Sequence, residues 1–458
     1  MTDVDELLQQ VWNPETKSLA EEAWRCYNAG ALRASITTTW TAITADIIAK
    51  AGHLADDNDP DARALSAKVI EAQSKGLRTE GVRLMQSVEN ELLDQAVTFE
   101  LIDTVDKRAL DRIREDRNTC VHPSLRGLND VYTPQSEVAR AHLVVALEAL
   151  LVHPPTQGRK LLEVYANFTC DPGFVPTPTH IQSLFYDQVR TATRRHIVAI
   201  AAKHAVLELD PAGRMPVGEC ADRSAQVLGA IAERDRTLVR EAVIAQRDRF
   251  RRLERDVQRR TLGRLGDRDY FWDMLDAPLI TYLDGIVADK PSENIFFPLS
   301  PTPAAVISLL GQDVARQRLP RLQATFDSLS MLQKVSVLSR RPSPYFAKLI
   351  PGLLDQATSF RIGEQVGELL VPHARYLNLD DLRAALLSCA NNSECWQAAG
   401  MPPTLLNLFR ATSHLGESRV QLFRDFIDRV DAALTQTGDS DPSHYYRYPD
   451  LKMALSTP

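Results

Sequence analysis

Apolar residues recur every three to five positions along most of the chain, the spacing of one helix face. Trp24, Tyr27, Leu32, Ile36, Trp40, Ile43 and Ile47 set the pattern. Ser18, with Glu21 three residues on, reads as a capping box ahead of a helical segment over residues 19–51. Gly30 leaves open whether that segment is one long helix or two shorter ones. Further helices are predicted over 60–75, 79–105, 107–121 and 136–152. The fourth must stop at His122, because the residue before Pro123 is steered out of the α region. Several helices joined by short loops describe an up-and-down bundle.

Proline-rich breaks divide the chain beyond this bundle. Pro154-Pro155, Asp171-Pro172-Gly173 and Pro176-Thr177-Pro178 mark a first boundary, and Lys290-Pro291-Ser292 through Pro303 a second. The expected domains are a helical bundle over 1–155, a helical middle domain over 176–290, a helical array over 300–436 and a flexible tail over 437–458. The middle domain reads as long helices at 180–207 and 221–262. The third region places short apolar helices at 319–338, 345–354, 379–389, 404–412 and 418–434. That rhythm of about 20 residues resembles a HEAT-like α-solenoid. The fold class is all-α.

Composition narrows the partners. At 458 residues the chain exceeds one compact core. No window approaches a membrane span, and the acidic first ten residues are no secretory leader, so a cytoplasmic location without membrane contact is expected. A net charge of −7 argues against broad nucleic-acid coating but leaves room for a local basic site. Residues 233–269 hold twelve Arg against eight acids. Such a stretch is either a solvated face laced with ion pairs or a phosphate-tracking surface. Six scattered cysteines form no zinc pattern and read as free thiols; Cys389 and Cys395 bracket one polar loop. No phosphate loop, dinucleotide fingerprint, zinc-protease motif or nucleophile elbow is present, so neither a metal nor a cofactor is called for.

One constellation carries chemistry. Residues 114–123 read Arg-Glu-Asp-Arg-Asn-Thr-Cys-Val-His-Pro. A loose Arg-to-His spacing is common by chance in this composition, and Arg190 with His196 also satisfies it. The stricter form, Arg117-Asn118 followed by His122, is expected by chance only about 0.02 times. Histidine can take either proton role near neutrality. Arginine offers a charged fork matched to phosphate oxygens. Asn118 and His122 are four apart and share a helix face, which suits the amide to hold the imidazole. The alternative is that Arg117 pairs with an acid of the bundle while His122 only caps the helix.

This motif, at the end of a late helix in a small helical bundle, resembles the HEPN superfamily over about residues 15–152. The early segment Tyr27-Asn28-Ala29-Gly30-Ala31-Leu32-Arg33-Ala34-Ser35 fits the first long helix of such domains. The resemblance implies metal-independent RNA cleavage with Arg117, Asn118 and His122 as catalytic residues. It also implies a homodimer with a composite site and roles in toxin or anti-phage systems. Arg114 and Arg126 are the expected RNA-binding neighbours. With one motif histidine per chain, a dimer supplies the second proton-transfer group. A regulatory or trigger protein on the C-terminal region is the further expected partner. The rival readings are a non-enzymatic helical scaffold and an RNA-binding regulator using Arg190, Arg194, Arg195 and the Arg247–Arg260 stretch.

Overall fold

The computed structural model describes residues 3–57, 59–122, 132–288, 294–437, 441 and 444–456, and every regular element among them is helical. The chain is all-α, as its periodicity predicts. It divides into two units, residues 1–201 with 210–239 and residues 202–209 with 240–458.

In the first unit α1 (Val4–Gln9) and α2 (Pro14–Asn28) lead into α3 (Leu32–Asp56). Four more helices come next: α4 (Pro60–Lys75), α5 (Thr79–Thr98), α6 (Thr104–Val121) and α7 (Ser136–Ala146), the last running on as a π-helical turn over Leu147–Leu151. Helix α3 is the hub and packs against α2, α4, α5, α6 and α7. One cluster of buried apolar side chains, from Val4 through Ile43, Leu92 and Leu143 to Val152, forms the core around it.

The helix boundaries reflect backbone satisfaction. Gly30 does divide the first segment: at φ +75° it ends α2 with paired bonds from Gly30 N–H to Tyr27 O and from Ala31 N–H to Cys26 O. Ser18 is not a cap. It lies inside α2, whose start is Asn13, accepting from the Glu15 amide, with Pro14 in the first turn. The helix predicted over 79–105 stops at Thr98, where Glu100 takes the left-handed conformation usually given to glycine. With no glycine to announce it, that break was hidden in the sequence. Asp103 then caps α6 in a reciprocal box with Asp106.

The rest of this unit comprises α8 (Gly158–Cys170), α9 (Pro178–Gln182) and a π-helical turn over Ser183–Asp187. The starts of α10 (Thr191–Leu207), α11 (Val217–Ala232) and the start of α12 (Arg236–Ile244) complete it. The long helices expected at 180–207 and 221–262 are therefore broken. One break is set at Asp235, whose carboxylate accepts the Leu238 amide and starts a new helix.

The second unit is built of short helices that pack on neighbours two or three elements further along the chain. Arg255–Leu265 packs on Pro301–Ile307, Ile350–Asp355 on Leu379–Asn391, and Leu379–Asn391 on Ser418–Thr437. The end expected to fray from residue 437 carries a helix, Pro449–Ser456. Tyr448 before it is buried and donates its hydroxyl to Trp396 O at 2.6 Å. An aromatic anchor overrides the polar composition of that segment.

Candidate functional site

The motif sits at the C-terminal end of α6, which is held against the bundle by Leu110 and Ile113 on its buried face. The helix stops after Val121, and His122 leaves it at φ −114°, ψ 72° as the capping residue. Its backbone N–H still donates to Asn118 O at 2.9 Å, while the residue itself is exposed. Arg117, half-buried, donates from Nη1 to the Asn118 side-chain oxygen at 3.1 Å. Its Nε is buried without a hydrogen-bond partner, and no carboxylate pairs with it among the described residues. Asn118 thus holds the Arg117 guanidinium through its side-chain oxygen, while its backbone carbonyl accepts the ordinary helical bond from the His122 N–H. The expected bond from its side chain to the imidazole is not made: the amide oxygen serves Arg117 instead.

Arg114 is engaged elsewhere. It pairs with Asp111 at 2.7 Å and reaches Asn90 O of α5 at 3.4 Å. Arg126 lies outside the described residues.

The structure brings in two groups that sequence reasoning missed. His142 of α7 places Nε2 2.7 Å from Oδ2 of Asp116, the residue directly before Arg117. No short spacing links residues 26 apart, so only the packing of α7 on α6 reveals the pair. Arg33, exposed on the first turn of α3, is close enough to act on the Cys120 thiol; burial first, and then Asp116, push that thiol up against the pull of Arg33. His142 of α7 thus reaches the motif helix at Asp116, and the charge of Arg33 acts on it at Cys120.

The arginines outside the motif are largely spent on structure. In the first unit Arg190 pairs with Asp106 and donates to Leu101 O. Arg194 donates to Val189 O at 2.8 Å and lies 4.0 Å over the Tyr186 ring. In the second unit Arg260 grips Glu208 through two nitrogens, and Arg264 joins it at 2.8 Å. Burial pushes Glu208 up, but the hydrogen bonds and charges of Arg260 and Arg264 outweigh it and hold the carboxyl below its ordinary value. Arg247 donates to Met274 O and Asp273 O, and Arg251 pairs with Asp276. These bonds favour the ion-pair reading of the Arg-rich stretch over the phosphate-tracking one.

All six cysteines are free. Burial pushes the Cys389 thiol well above its ordinary value and that of Cys395 up to about 12, which leaves both poor nucleophiles. No described helix is long and apolar enough to cross a membrane. Comparison with protein-family models, curated proteins and solved structures gives no significant match.

Proposed function

We propose that the chain is a metal-independent endoribonuclease of the HEPN type, with Arg117, Asn118 and His122 as its site. The observation that carries this reading is an arginine without a carboxylate partner among the described residues, beside an exposed histidine at a helix end. Arg114, Arg190 and Arg260 pair with carboxylates, and Arg194 spends its guanidinium on Val189 O and the Tyr186 ring. Arg117 is held by an amide, which orients the guanidinium and leaves its charge uncompensated.

The chemistry these side chains support is attack of a ribose 2′-oxygen on the adjacent phosphorus. A base takes the 2′-OH proton, the bond to the 5′-oxygen breaks, and an acid protonates that leaving oxygen. Arg117 stabilises the charge that builds on the phosphorane. Two copies of His122, brought together in a homodimer, supply base and acid. RNA is the substrate because the nucleophile is its own 2′-OH. The remaining helices, with a trigger protein as partner, restrain the enzyme, as suits a toxin or anti-phage effector.

The test is incubation of the purified chain with total RNA in excess EDTA, beside His122→Ala. Cleavage by the parent and none by the variant supports the reading. Equal cleavage, or none by either, overturns it.

A further inference from the structure

The second unit holds a cleft of about 520 Å³ that the ribonuclease chemistry does not use. That volume lies in the range of small-molecule sites, about 300–1,000 Å³. Three stretches wall it: residues 266–272, 311–316 and 344–348. We propose that this cleft binds a short peptide through its free ammonium and carboxylate ends.

The walls are tied together, so the cleft is formed before any ligand arrives. A Cβ on Gly311 would lie 2.6 Å from Ser343 Oγ and 3.0 Å from the Phe346 ring, so the second and third walls meet closely. Arg316 joins the same two walls. It pairs with Asp313, donates to Leu310 O and lies 4.2 Å over the Tyr345 ring. Trp272 braces the first wall by donating Nε1 to Gly266 O at 2.9 Å. A preformed site spares the ligand much of the cost of ordering.

These bonds leave over one charge of each sign, on different walls. Asp267, on the first wall, is partly exposed, and neither of its oxygens accepts a hydrogen bond among the described residues. Its nearest cations, Arg268 and Arg341, stand at 3.7 Å, beyond hydrogen-bond range. Asp269 beside it already accepts the Tyr270 amide at 2.7 Å. Lys348, on the third wall, is exposed and makes no hydrogen bond or ion pair among the described residues. Val314, Pro344 and the Tyr345 ring supply apolar surface.

A bare cation is repelled by Lys348 and a bare anion by Asp267, so the ligand must carry both charges. Two walls to reach favour a peptide over a free amino acid: two residues in extended form span up to about 7 Å. Its side chains then cover Val314 and Pro344. The cleft shares no residue with the motif, so this inference stands or falls apart from the ribonuclease reading.

Calorimetric titration of the full chain with leucyl-leucine, its N-acetyl form, its C-terminal amide and free leucine tests it, with melting curves in parallel. Leucyl-leucine should bind and raise Tm by about 5–10 °C at 100 times its Kd. The other three should each bind at least about tenfold more weakly. Lys348→Gln should weaken leucyl-leucine about tenfold yet bind the amide as the parent does, because the partner it loses is the carboxylate. Asp267→Asn should behave in the same way towards the acetylated form. Arg383→Gln, an exposed change outside the cleft, should alter none of these affinities. An unchanged Tm without ligand confirms that each variant folds, and Lys348→Gln decides the matter even if Asp267→Asn does not. Absence of leucyl-leucine binding overturns the proposal, as does an amide or free leucine that binds as tightly. Undiminished peptide affinity in Lys348→Gln overturns it too.

Discussion

His142 Nε2 and Asp116 Oδ2 stand 2.7 Å apart, one residue along the chain from Arg117. The acid nearest the motif arginine in sequence is thereby committed to α7. Removing His142 would release a half-buried carboxylate beside Arg117 and offset its charge. His142→Ala is therefore expected to lower kcat about 10- to 100-fold, well short of losing the general acid itself. Its stability cost should be about 1 kcal/mol for one hydrogen bond. Adding Asp116→Asn should restore part of the rate, because the released group is then neutral. A double-mutant cycle on cleavage rate decides it, and strict additivity of the two losses would refute the coupling.

The motif residues themselves should fall in a definite order. His122→Ala is expected to lose about 10²–10⁴-fold in rate. Arg117→Ala should lose about 10²–10³-fold through the missing charge on the phosphorane. Asn118→Ala should cost less, and by the geometry it should act through Arg117, whose Nη1 it holds at 3.1 Å. RNA products should carry 2′,3′-cyclic phosphate and 5′-hydroxyl ends, and DNA should remain intact. End-group analysis with melting curves on each variant separates lost chemistry from lost folding.

Local signals made part of this legible. The stop of α6 at His122 came from the proline after it, and the helix at Pro60–Lys75 from its proline start and glycine end. What stayed hidden depends on distant groups. The halt of α5 rests on Glu100 in a conformation it rarely adopts, and a Cβ on Gly158 would collide with its carboxylate. The Asp116–His142 pair needs two helices to dock. Tyr448 needs Trp396, 52 residues away, before it can anchor the chain end.

Asp46 and Lys50 form a fully buried ion pair at 2.5 Å inside α3, and Lys50 also donates to Leu150 O in the π-helical turn at 2.7 Å. No hydrogen bond from other described groups reaches the Asp46 oxygens, so Lys50 is their one counter-charge. Lys50→Met should cost about 3 kcal/mol, because it strands a buried carboxylate. In a unit of this size that is a fall in Tm of about 5–10 °C. Asp46→Leu combined with Lys50→Met should recover most of it, since an apolar pair has nothing left unpaired. A double variant less stable than Lys50→Met alone would show the pair to be net stabilising.

Acid should destabilise the second unit through His373. This residue is buried, its Nδ1 is 2.8 Å from Leu369 O, and its Nε2 has no hydrogen-bond partner. Burial, and then the charge of Arg375, hold it below the ordinary histidine value of 6.5 against the pull of the Leu369 carbonyl. The unfolded chain takes up a proton near pH 6.5, while the folded chain resists until lower pH. The unfolded state therefore binds more protons in that window, and stability is lost as pH falls below 6.5. His204 and, in the first unit, His153 are lowered chiefly by burial and act in the same sense. Asp46 acts in the opposite sense: burial raises it to about 6, so acidification from 6 towards 3.8 favours its folded form. A single histidine contributes a slope of at most about 1.4 kcal/mol per pH unit. Denaturant unfolding across pH 5.5–7.5, about one unit either side of the ordinary value, should show that slope reduced in His373→Met. An unchanged slope in a folded variant would mean that His373 takes up its proton as readily inside the protein as outside it.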